Sequence, residues 1–238
     1  MASNPNFSII IPAYNEEKRL GPNLKPVLKY LDTNYPGYEL IIVDDGSADH
    51  TVQAVSKAII NEPRAKLIAY SPNRGKGYAV RTGVLASHGD IVLFMDADLS
   101  TPLEEIPKII DLLKNYDIVI GSRGISKVVK QASIRRRFAS FIFDQIKYFM
   151  VGLRRFKDTQ CGFKVFRRST ARQLFTKSQV DRFMFDVEIL YLAERRGLRI
   201  GEMPVAWADV PGSHVRFFEG VVNMFRDLWR IRYTNRYD

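Results

Sequence analysis

The feature that most constrains the fold of this sequence is an alternation, over its first 122 residues, of short apolar runs with longer amphipathic segments. The runs are rich in Ile and Val and end at turn residues, which is typical of buried strands. We predict strands at Phe7–Pro12, Glu39–Asp45, Lys66–Tyr70, Asp90–Asp96 and Asp117–Gly121, and helices at Glu16–Tyr35, Asp49–Asn61, Gly75–Ser87 and Leu103–Asn115. The alternation indicates an α/β fold with a mostly parallel central sheet flanked by helices. Such sheets bind ligands at the carboxyl ends of their strands.

The pattern changes after Arg123, where helical segments predominate. We predict helices at Ser133–Leu153, Ser169–Ser178, Asp186–Arg196 and Arg216–Arg232, and strands at Gly162–Phe166 and Arg199–Val205. The 238 residues have the size of one α/β domain, and no linker or internal repeat divides them. We therefore expect a single domain over residues 1–238.

The positive charge of the chain is concentrated in one window. Residues 127–155 contain eight Lys and Arg against one acid, so they carry +7 of the formal net charge of +10, and the other 209 residues carry +3. This distribution favours a local basic site over a surface coated in charge for nucleic acid, and we expect no nucleic-acid partner. A basic nucleic-acid-binding protein stays the alternative from outside the enzymes.

Several features of the sequence indicate in which cellular compartment the protein is located. No basic region precedes the apolar run Phe7–Ile11, and no apolar stretch has the length of a membrane span, so we expect neither a secretory signal nor a spanning helix. Cys161 is the only cysteine, which excludes an internal disulfide and suits a reducing cytoplasm. These features predict a cytoplasmic protein.

Two carboxylates follow the strand predicted at Asp90–Asp96. In Asp96-Ala97-Asp98 an extended backbone places both acids on one side as the chain leaves the sheet. Oxygen ligands of this kind favour Mg²⁺ or Mn²⁺, whose octahedral shell keeps positions for water and substrate phosphates. The alternative is that Asp98 or Ser100 caps a helix that begins near Pro102.

A second acidic pair, Asp44-Asp45, ends another strand. Acids at this place accept hydrogen bonds from a base or a ribose in nucleotide-binding sheets, and the alternative is a cap on the helix that begins near Asp49. The later segment Asn73–Gly77 offers backbone amides and two cations near a helix start. Such a segment suits a phosphate, and a solvated turn is the alternative.

Several short motifs, taken together, carry a resemblance that none carries alone. The segments are I-P-A-Y-N-E at 11–16, V-D-D-G-S at 43–47, N-R-G-K-G at 73–77 and D-A-D-L-S at 96–100. In this order and spacing they resemble the family 2 glycosyltransferases, which have the GT-A fold. The segments G-S-R at 121–123, D-T-Q-C-G-F-K at 158–164 and F-D-V-E at 185–188 are similar to the dolichyl-phosphate β-glucosyltransferase branch, with the dolichyl-phosphate mannosyltransferases close behind.

The resemblance implies a role for each motif. Asp44 and Asp45 would hold the uracil and ribose, and Asp96 and Asp98 would bind the metal on the diphosphate. The implied nucleotide-sugar site, within about residues 1–122, comprises Pro12, Tyr14, Glu16, Asp44, Asp45, Gly46, Arg74, Gly75, Lys76 and Ala97. The implied acceptor phosphate site, within residues 123–238, comprises Arg123, Arg135, Arg136 and Arg137. Asp158 or Asp186 would either orient these arginines or assist the reaction itself. The chain departs from its relatives at Gly212-Ser213-His214, where they commonly carry Lys or Arg after Gly-Ser.

The implied reaction is the inverting transfer of a hexose, glucose in the first place, from a UDP-sugar to a polyprenyl phosphate of the dolichyl type. The second pKa of a phosphate monoester is about 6, so this acceptor is largely an oxyanion at neutral pH and a general base becomes optional. One alternative is a GDP-mannose donor. Another is a hydroxyl acceptor, which would need a base such as Asp186 or Glu188.

The basic window also favours contact with a membrane surface. Lys and Arg near an anionic bilayer contribute roughly 1 kcal/mol each before screening, and Phe138, Phe141 and Phe149 can insert shallowly. We expect a peripheral protein on the cytoplasmic face of a membrane, and the alternative is an ordinary amphipathic helix with its aromatics in the core. Phe217, Phe218, Phe225 and Trp229 have the spacing of one helix face and are interpreted as core or partner contacts.

Overall fold

The computed structural model describes residues 6–123, 148, 150–208 and 217–233. Its centre is a seven-stranded sheet, and helices cover both faces. In chain order the strands are β1 (Phe7–Ala13), β2 (Tyr38–Asp44), β3 (Ala65–Ala69), β4 (Ile91–Met95), β5 (Ile118–Ser122), β6 (Phe163–Arg167) and β7 (Ile200–Pro204). The helices are α1 (Glu17–Asn34), α2 (Thr51–Ile59), α3 (Lys76–Ala86), α4 (Ile106–Leu112), α5 (Arg168–Lys177), α6 (Phe185–Arg195) and α7 (Phe217–Tyr233).

The strands lie in the order β3-β2-β1-β4-β6-β5-β7. β1 pairs in parallel with β2 and β4, β2 with β3, and β5 with β7, whereas β6 runs antiparallel to β4 and β5. The predicted mostly parallel sheet is confirmed. Because β2, β1 and β4 are parallel neighbours, the loops that follow them meet at one edge of the sheet, which we call the carboxyl rim.

Alternate side chains of the central strands divide the interior into two layers. Ile10 belongs to the layer beneath α3, α5, α6 and α7, whereas Ile9 and Ile11 belong to the layer beneath α1 and α4. Burying one such side chain contributes roughly 1.5 to 3 kcal/mol. The two layers therefore hold the strand ends firmly, and the carboxyl rim rests on a rigid base.

The predicted strands are all present, with ends shifted by one residue. The helix expected at Leu103–Asn115 is shorter, because a 3-10 turn at Leu103–Glu105 precedes α4. Pro107 has no amide hydrogen to bond back to Leu103, so the first turn of a helix, where that bond is absent anyway, is its favoured position. The helix expected at Ser133–Leu153 falls largely outside the described residues. In the described part of the chain no helix is both long and apolar enough to cross a bilayer.

Candidate active site

Short polar side chains tie the loops after β1 and β2 together. The Asn15 amide donates to Ser47 Oγ at 2.9 Å, and Asn15 Oδ1 accepts the Ala48 amide at 2.9 Å. The Glu16 amide donates to Thr51 Oγ1 at 2.7 Å. Asn15 has a φ of 55°, a left-handed conformation that Asn adopts more readily than most residues. The two loops therefore form one segment of the carboxyl rim.

The residues predicted to line a nucleotide on β1 differ in access. Pro12 is buried within the strand, whereas Tyr14 is 46% exposed on the carboxyl rim. Both carboxylate oxygens of Glu16 accept the guanidinium of Arg19, at 2.6 Å each. Of these three predicted residues, Tyr14 is the one that presents its side chain most openly.

The acidic pair after β2 is buried, and its oxygens accept hydrogen bonds from the protein. Asp44 accepts the amide and the hydroxyl of Ser47, at 3.1 and 2.5 Å. Asp45 accepts four bonds of 2.7 to 2.9 Å, from the Tyr70 hydroxyl, the Asn73 side chain and the amides of Arg74 and Gly75. Burial and the Asp45 carboxylate raise the pKa of Tyr70, so its hydroxyl stays a donor. Asp45 thus fixes the loop after β3, and its neighbour Gly46 lies close against Asn73 of that loop.

Neither Asp44 nor Asp45 caps α2, which was the alternative role for this pair. Asp49 accepts the amide of Thr51, the first residue of α2, at 3.0 Å. It is therefore Asp49, rather than Asp44 or Asp45, that satisfies a backbone donor at this helix start.

The Asn73–Gly77 segment uses much of its backbone internally. The Arg74 and Gly75 amides donate to Asp45, and the amide of Tyr78, the third residue of α3, donates to the Asp181 carbonyl at 3.0 Å. Gly75 has a φ of 107°, and a Cβ there would lie 2.6 Å from the Asp181 carbonyl oxygen. The Arg74 guanidinium stacks 3.5 Å from the centroid of the Tyr78 ring. The contribution of this segment to a site is therefore the Lys76 side chain rather than these amides.

The chain leaving β4 brings Asp96 and Asp98 to the carboxyl rim, both partly exposed. A Cβ at position 162 would lie 2.0 Å from Asp96 Oδ2, so only glycine leaves room for this carboxylate. Lys76 Nζ lies 2.5 Å from Asp96 Oδ1. Burial acts to lower the pKa of Lys76, but the carboxylates of Asp96 and Asp186 outweigh it and raise this pKa, so the ammonium stays charged.

Asp96 and Asp98 are the acids of the carboxyl rim that could hold a divalent cation. Asp98 Oδ1 accepts the Ser100 amide at 3.0 Å, within a turn rather than at a helix start. The buried Ala97 carbonyl accepts Asn23 Nδ2 at 3.1 Å, which fixes the loop between the acids. In the described ranges no group of three or more His, Cys, Asp or Glu is arranged around a common metal position. An ion between Asp96 and Asp98 would complete its shell with water and substrate oxygens, as Mg²⁺ commonly does.

Arg123, directly after β5, is held by Asp158 in a bidentate pair. Its Nε and Nη2 donate to the two carboxylate oxygens at 2.6 and 2.9 Å, and its amide donates at 3.1 Å. Burial acts to raise the pKa of Asp158, but the hydrogen bonds from Arg123 outweigh it and hold this pKa below its usual value. The Asp158 amide donates to Glu202 at 3.0 Å, and the Trp207 ring centroid lies 5.9 Å from the guanidinium. Of the two roles predicted for Asp158, this geometry fits the orientation of Arg123.

Asp186 lies in a buried ion pair that the sequence did not predict. Lys164 on β6 is fully buried, and its Nζ donates to Asp186 Oδ1 and to the Cys161 carbonyl, both at 2.6 Å. Burial raises the pKa of Asp186, while Lys164 acts in the opposite direction. Glu188, also fully buried, accepts the amides of Gln179 and Val180 at 2.8 and 3.0 Å. Both carboxylates therefore hold internal donors instead of facing the surface.

Part of the predicted acceptor region lies outside the described residues, namely Arg135, Arg136, Arg137, Phe138, Phe141, Phe149 and His214. Two residues near the acids had no predicted role: Gly162, which makes room for Asp96, and Lys164, which pairs with Asp186. A signal for Lys164 is present, because a lysine inside the apolar strand Phe163–Phe166 needs a buried partner.

Comparison with known proteins identifies the family. The glycosyl transferase family 2 model matches residues 8–175. The dolichyl-phosphate beta-glucosyltransferase of Drosophila melanogaster is 40% identical, with 94% of this chain and 74% of that protein covered. The enzyme of the same name from Dictyostelium discoideum is 37% identical, with 97% of this chain and 75% of that protein covered.

Solved structures share the fold at lower identity. Mannosyl-3-phosphoglycerate synthase from Rubrobacter xylanophilus has a TM-score of 0.70 at 16% identity, over 95% of this chain and 74% of that one. Glucosyl-3-phosphoglycerate synthase from Mycobacterium tuberculosis, in complex with Mn²⁺, UDP and phosphoglyceric acid, has a TM-score of 0.64 at 18% identity, over 97% and 78%. These structures show the GT-A fold, and the sequence matches show the family. The chain therefore belongs to glycosyltransferase family 2 and is a glycosyltransferase.

Proposed function

We propose that this enzyme transfers glucose from UDP-glucose to a polyprenyl phosphate of the dolichyl type, inverting the anomeric carbon, with Mg²⁺ or Mn²⁺ held by Asp96 and Asp98. The names of the relatives that are 37 and 40% identical over nearly the whole chain support the sugar and the acceptor. Solved neighbours in complex with UDP and Mn²⁺ or Mg²⁺ support the nucleotide and the metal.

The observation that carries this proposal is how the three candidate bases among the described residues, Asp158, Asp186 and Glu188, are engaged. Asp158 has both oxygens on Arg123, Asp186 pairs with Lys164, and Glu188 accepts two backbone amides. A hydroxyl acceptor needs a carboxylate to remove its proton, whereas a phosphate monoester is already an oxyanion near pH 7. The arrangement therefore favours a phosphate acceptor over a hydroxyl.

Some residues of the carboxyl rim would act on the donor diphosphate, and another would act on the acceptor phosphate. A divalent cation bound at Asp96 and Asp98 would offset the charge that develops on the leaving diphosphate. Lys76 adds a positive charge beside the same carboxylate, 2.5 Å from Asp96. Arg123, whose side chain is 38% exposed and is held in one plane by Asp158, is suited to charge-assisted hydrogen bonds with the acceptor phosphate.

The acceptor also leads us to propose a location. A polyprenyl tail partitions into a bilayer, so its phosphate is met at the membrane surface. The basic window at 127–155 supplies charge for that surface. We propose peripheral attachment to the cytoplasmic face of a membrane.

A panel of donors and acceptors tests the proposed function. UDP-glucose, UDP-galactose and GDP-mannose are each offered with a short, water-soluble polyprenyl phosphate and with the matching polyprenol, in the presence of Mn²⁺. We expect transfer from UDP-glucose to the phosphate and none to the alcohol. Transfer from GDP-mannose instead would overturn the donor, and equal transfer to the polyprenol would overturn the acceptor.

A further inference from the structure

Helix α7 presents a row of exposed aromatic side chains. Phe225, Trp229 and Tyr233 are four residues apart and are 39, 58 and 62% exposed. Residues at this spacing lie on one side of a helix. The rings of Trp229 and Tyr233 lie 5.9 Å apart, so the row is continuous there. Leu228 and Ile231, which are fully buried, attach the opposite side of the helix to the core.

Arginines flank this aromatic row. Arg226, Arg230 and Arg232 are all exposed, whereas Asp227, the one acid between Met224 and Tyr233, is partly buried. Burial raises the pKa of Asp227, and the charges of Arg230 and Arg182 act in the opposite direction. The accessible surface of this part of α7 therefore combines aromatic and cationic groups.

Helix α7 lies beside a loop that borders the candidate active site. Asp227 interacts electrostatically with Arg182 and Asp181, and the Asp181 carbonyl accepts the Tyr78 amide at the start of α3. The neighbouring Phe183 is 44% exposed. Among the described residues, six large apolar side chains are exposed, and four of them are Phe183, Phe225, Trp229 and Tyr233. Four of the six therefore belong to α7 or to the loop beside it.

We propose that this aromatic row is a membrane-docking surface, with Phe225, Trp229 and Tyr233 at the boundary between lipid headgroups and acyl chains and Arg226, Arg230 and Arg232 on lipid phosphates. The inference rests on the proposed function, because a lipid acceptor requires the site to face a bilayer. Tryptophan and tyrosine favour this boundary because their rings are apolar at one end and polar at the other. The charge of the arginines complements anionic headgroups.

Vesicle binding by matched variants tests the docking surface. The wild type is floated with phosphatidylcholine vesicles that contain or lack phosphatidylserine, beside a variant with Phe225→Ser, Trp229→Ser and Tyr233→Ser together. We expect the wild type to bind the anionic vesicles and the triple variant to bind at least about tenfold more weakly. Ile60→Ser is the control, because Ile60 is 78% exposed just after α2 and its loss removes a comparable apolar side chain elsewhere. Its vesicle affinity should stay within about twofold of the wild type.

A second variant separates the charges from the rings. Arg226→Gln, Arg230→Gln and Arg232→Gln together should weaken binding to the phosphatidylserine vesicles and leave the much weaker binding to pure phosphatidylcholine unchanged. Thermal unfolding of each variant verifies that it is folded, which exposed substitutions should permit.

Transfer to the short, water-soluble polyprenyl phosphate separates this inference from the proposed function. The triple serine variant should retain the wild-type rate on that acceptor within about twofold, since its changes lie outside the site. A wild type that binds vesicles without transferring glucose would refute the function alone. Failure of the wild type to bind vesicles, or equal binding by the triple variant, would overturn the docking surface. A wild-type dimer that the triple variant dissociates, with vesicle binding unchanged, would assign the aromatic row to a protein interface instead.

Discussion

The two acidic pairs of the carboxyl rim end strands on either side of β1, yet they differ in nearly every physical respect. Asp44 and Asp45 are 2 and 3% exposed, and four donors of the protein converge on Asp45 alone. The Asp96 side chain is 37% exposed and has an ammonium group as its hydrogen-bond partner. A carboxylate at a strand end can bind a ligand directly only while its oxygens are accessible. Asp45 therefore shapes the carboxyl rim, and Asp96 and Asp98 are the acids available to a metal.

The largest effect is expected from Asp98→Asn. The substitution removes one negative charge from a partly exposed position, so the free energy of unfolding should change by less than about 0.5 kcal/mol. Turnover should fall at least about a hundredfold, the scale of losing one electrostatic stabiliser. Chemical denaturation and initial rates with UDP-glucose measure the two quantities. A variant with normal turnover would remove Asp98 from the metal site.

The isosteric change Asp45→Asn is expected to give the opposite result. Its new amide group would face two donors that now bond to a carboxylate oxygen, and bonds to charged groups contribute about 1.5 to 3 kcal/mol each. The free energy of unfolding should fall by about 2 to 4 kcal/mol, as denaturant titration would show. Unchanged stability with a loss of UDP-glucose affinity would instead return Asp45 to the role of a direct ligand group.

Arg123→Ala extends the comparison to the strand end of β5. Losing one charge-assisted contact of about 1.5 to 3 kcal/mol predicts a drop of roughly ten- to a hundred-and-fifty-fold in kcat/KM for the lipid phosphate. UDP-glucose affinity should remain unchanged, because the donor side is built from the earlier loops. Asp158→Asn is the matched control, because it keeps the Arg123 guanidinium and weakens the bidentate pair that positions it. An equal loss of donor binding in Arg123→Ala would assign the arginine to the other substrate.

The smallest effect is expected from Lys76→Met. Its ammonium lies 2.5 Å from Asp96 Oδ1, where it competes with a metal for the same carboxylate. Ion pairs of limited burial contribute about 0.2 to 1 kcal/mol, so removing this one should raise the Mn²⁺ affinity of the substrate-free enzyme by up to about fivefold. Electron paramagnetic resonance of free Mn²⁺ measures the change. Weaker Mn²⁺ binding would show that Lys76 supports the metal site instead of competing with it.

The fold was largely predictable, because its signal is local. Ile- and Val-rich runs that end at turn residues marked the strands to within one residue. The start of α4 was missed, since the effect of Pro107 depends on its place within the helical turn. Helix α7 shows the limit of periodicity. Apolar residues occur on both of its sides, and the sequence does not say which side meets the core. Leu228 and Ile231 face the core, so interpreting Phe225 and Trp229 as core was wrong, while their role as partner contacts stays a prediction.

The candidate site was predictable in its composition but not in its internal bonds. Sequence order placed the acids at strand ends, and the parallel sheet brings those ends to one edge. The donors to Asp45 come from residues 70–75, and the partner of Asp186 is Lys164, 22 positions away. Such contacts depend on loop conformations and on how helices pack against the sheet. A strand-end acid that binds a ligand and one that fixes a loop therefore look alike in the sequence.

The most direct test of a metal site at Asp96 and Asp98 is a calorimetric titration of UDP-glucose into the wild-type enzyme with Mn²⁺, repeated after chelation by EDTA. We expect tight binding with the metal and a loss of at least about tenfold in affinity after chelation, because the diphosphate then faces the Asp96 and Asp98 carboxylates without an intervening cation. Equal UDP-glucose affinity before and after EDTA would contradict the metal role of these two acids.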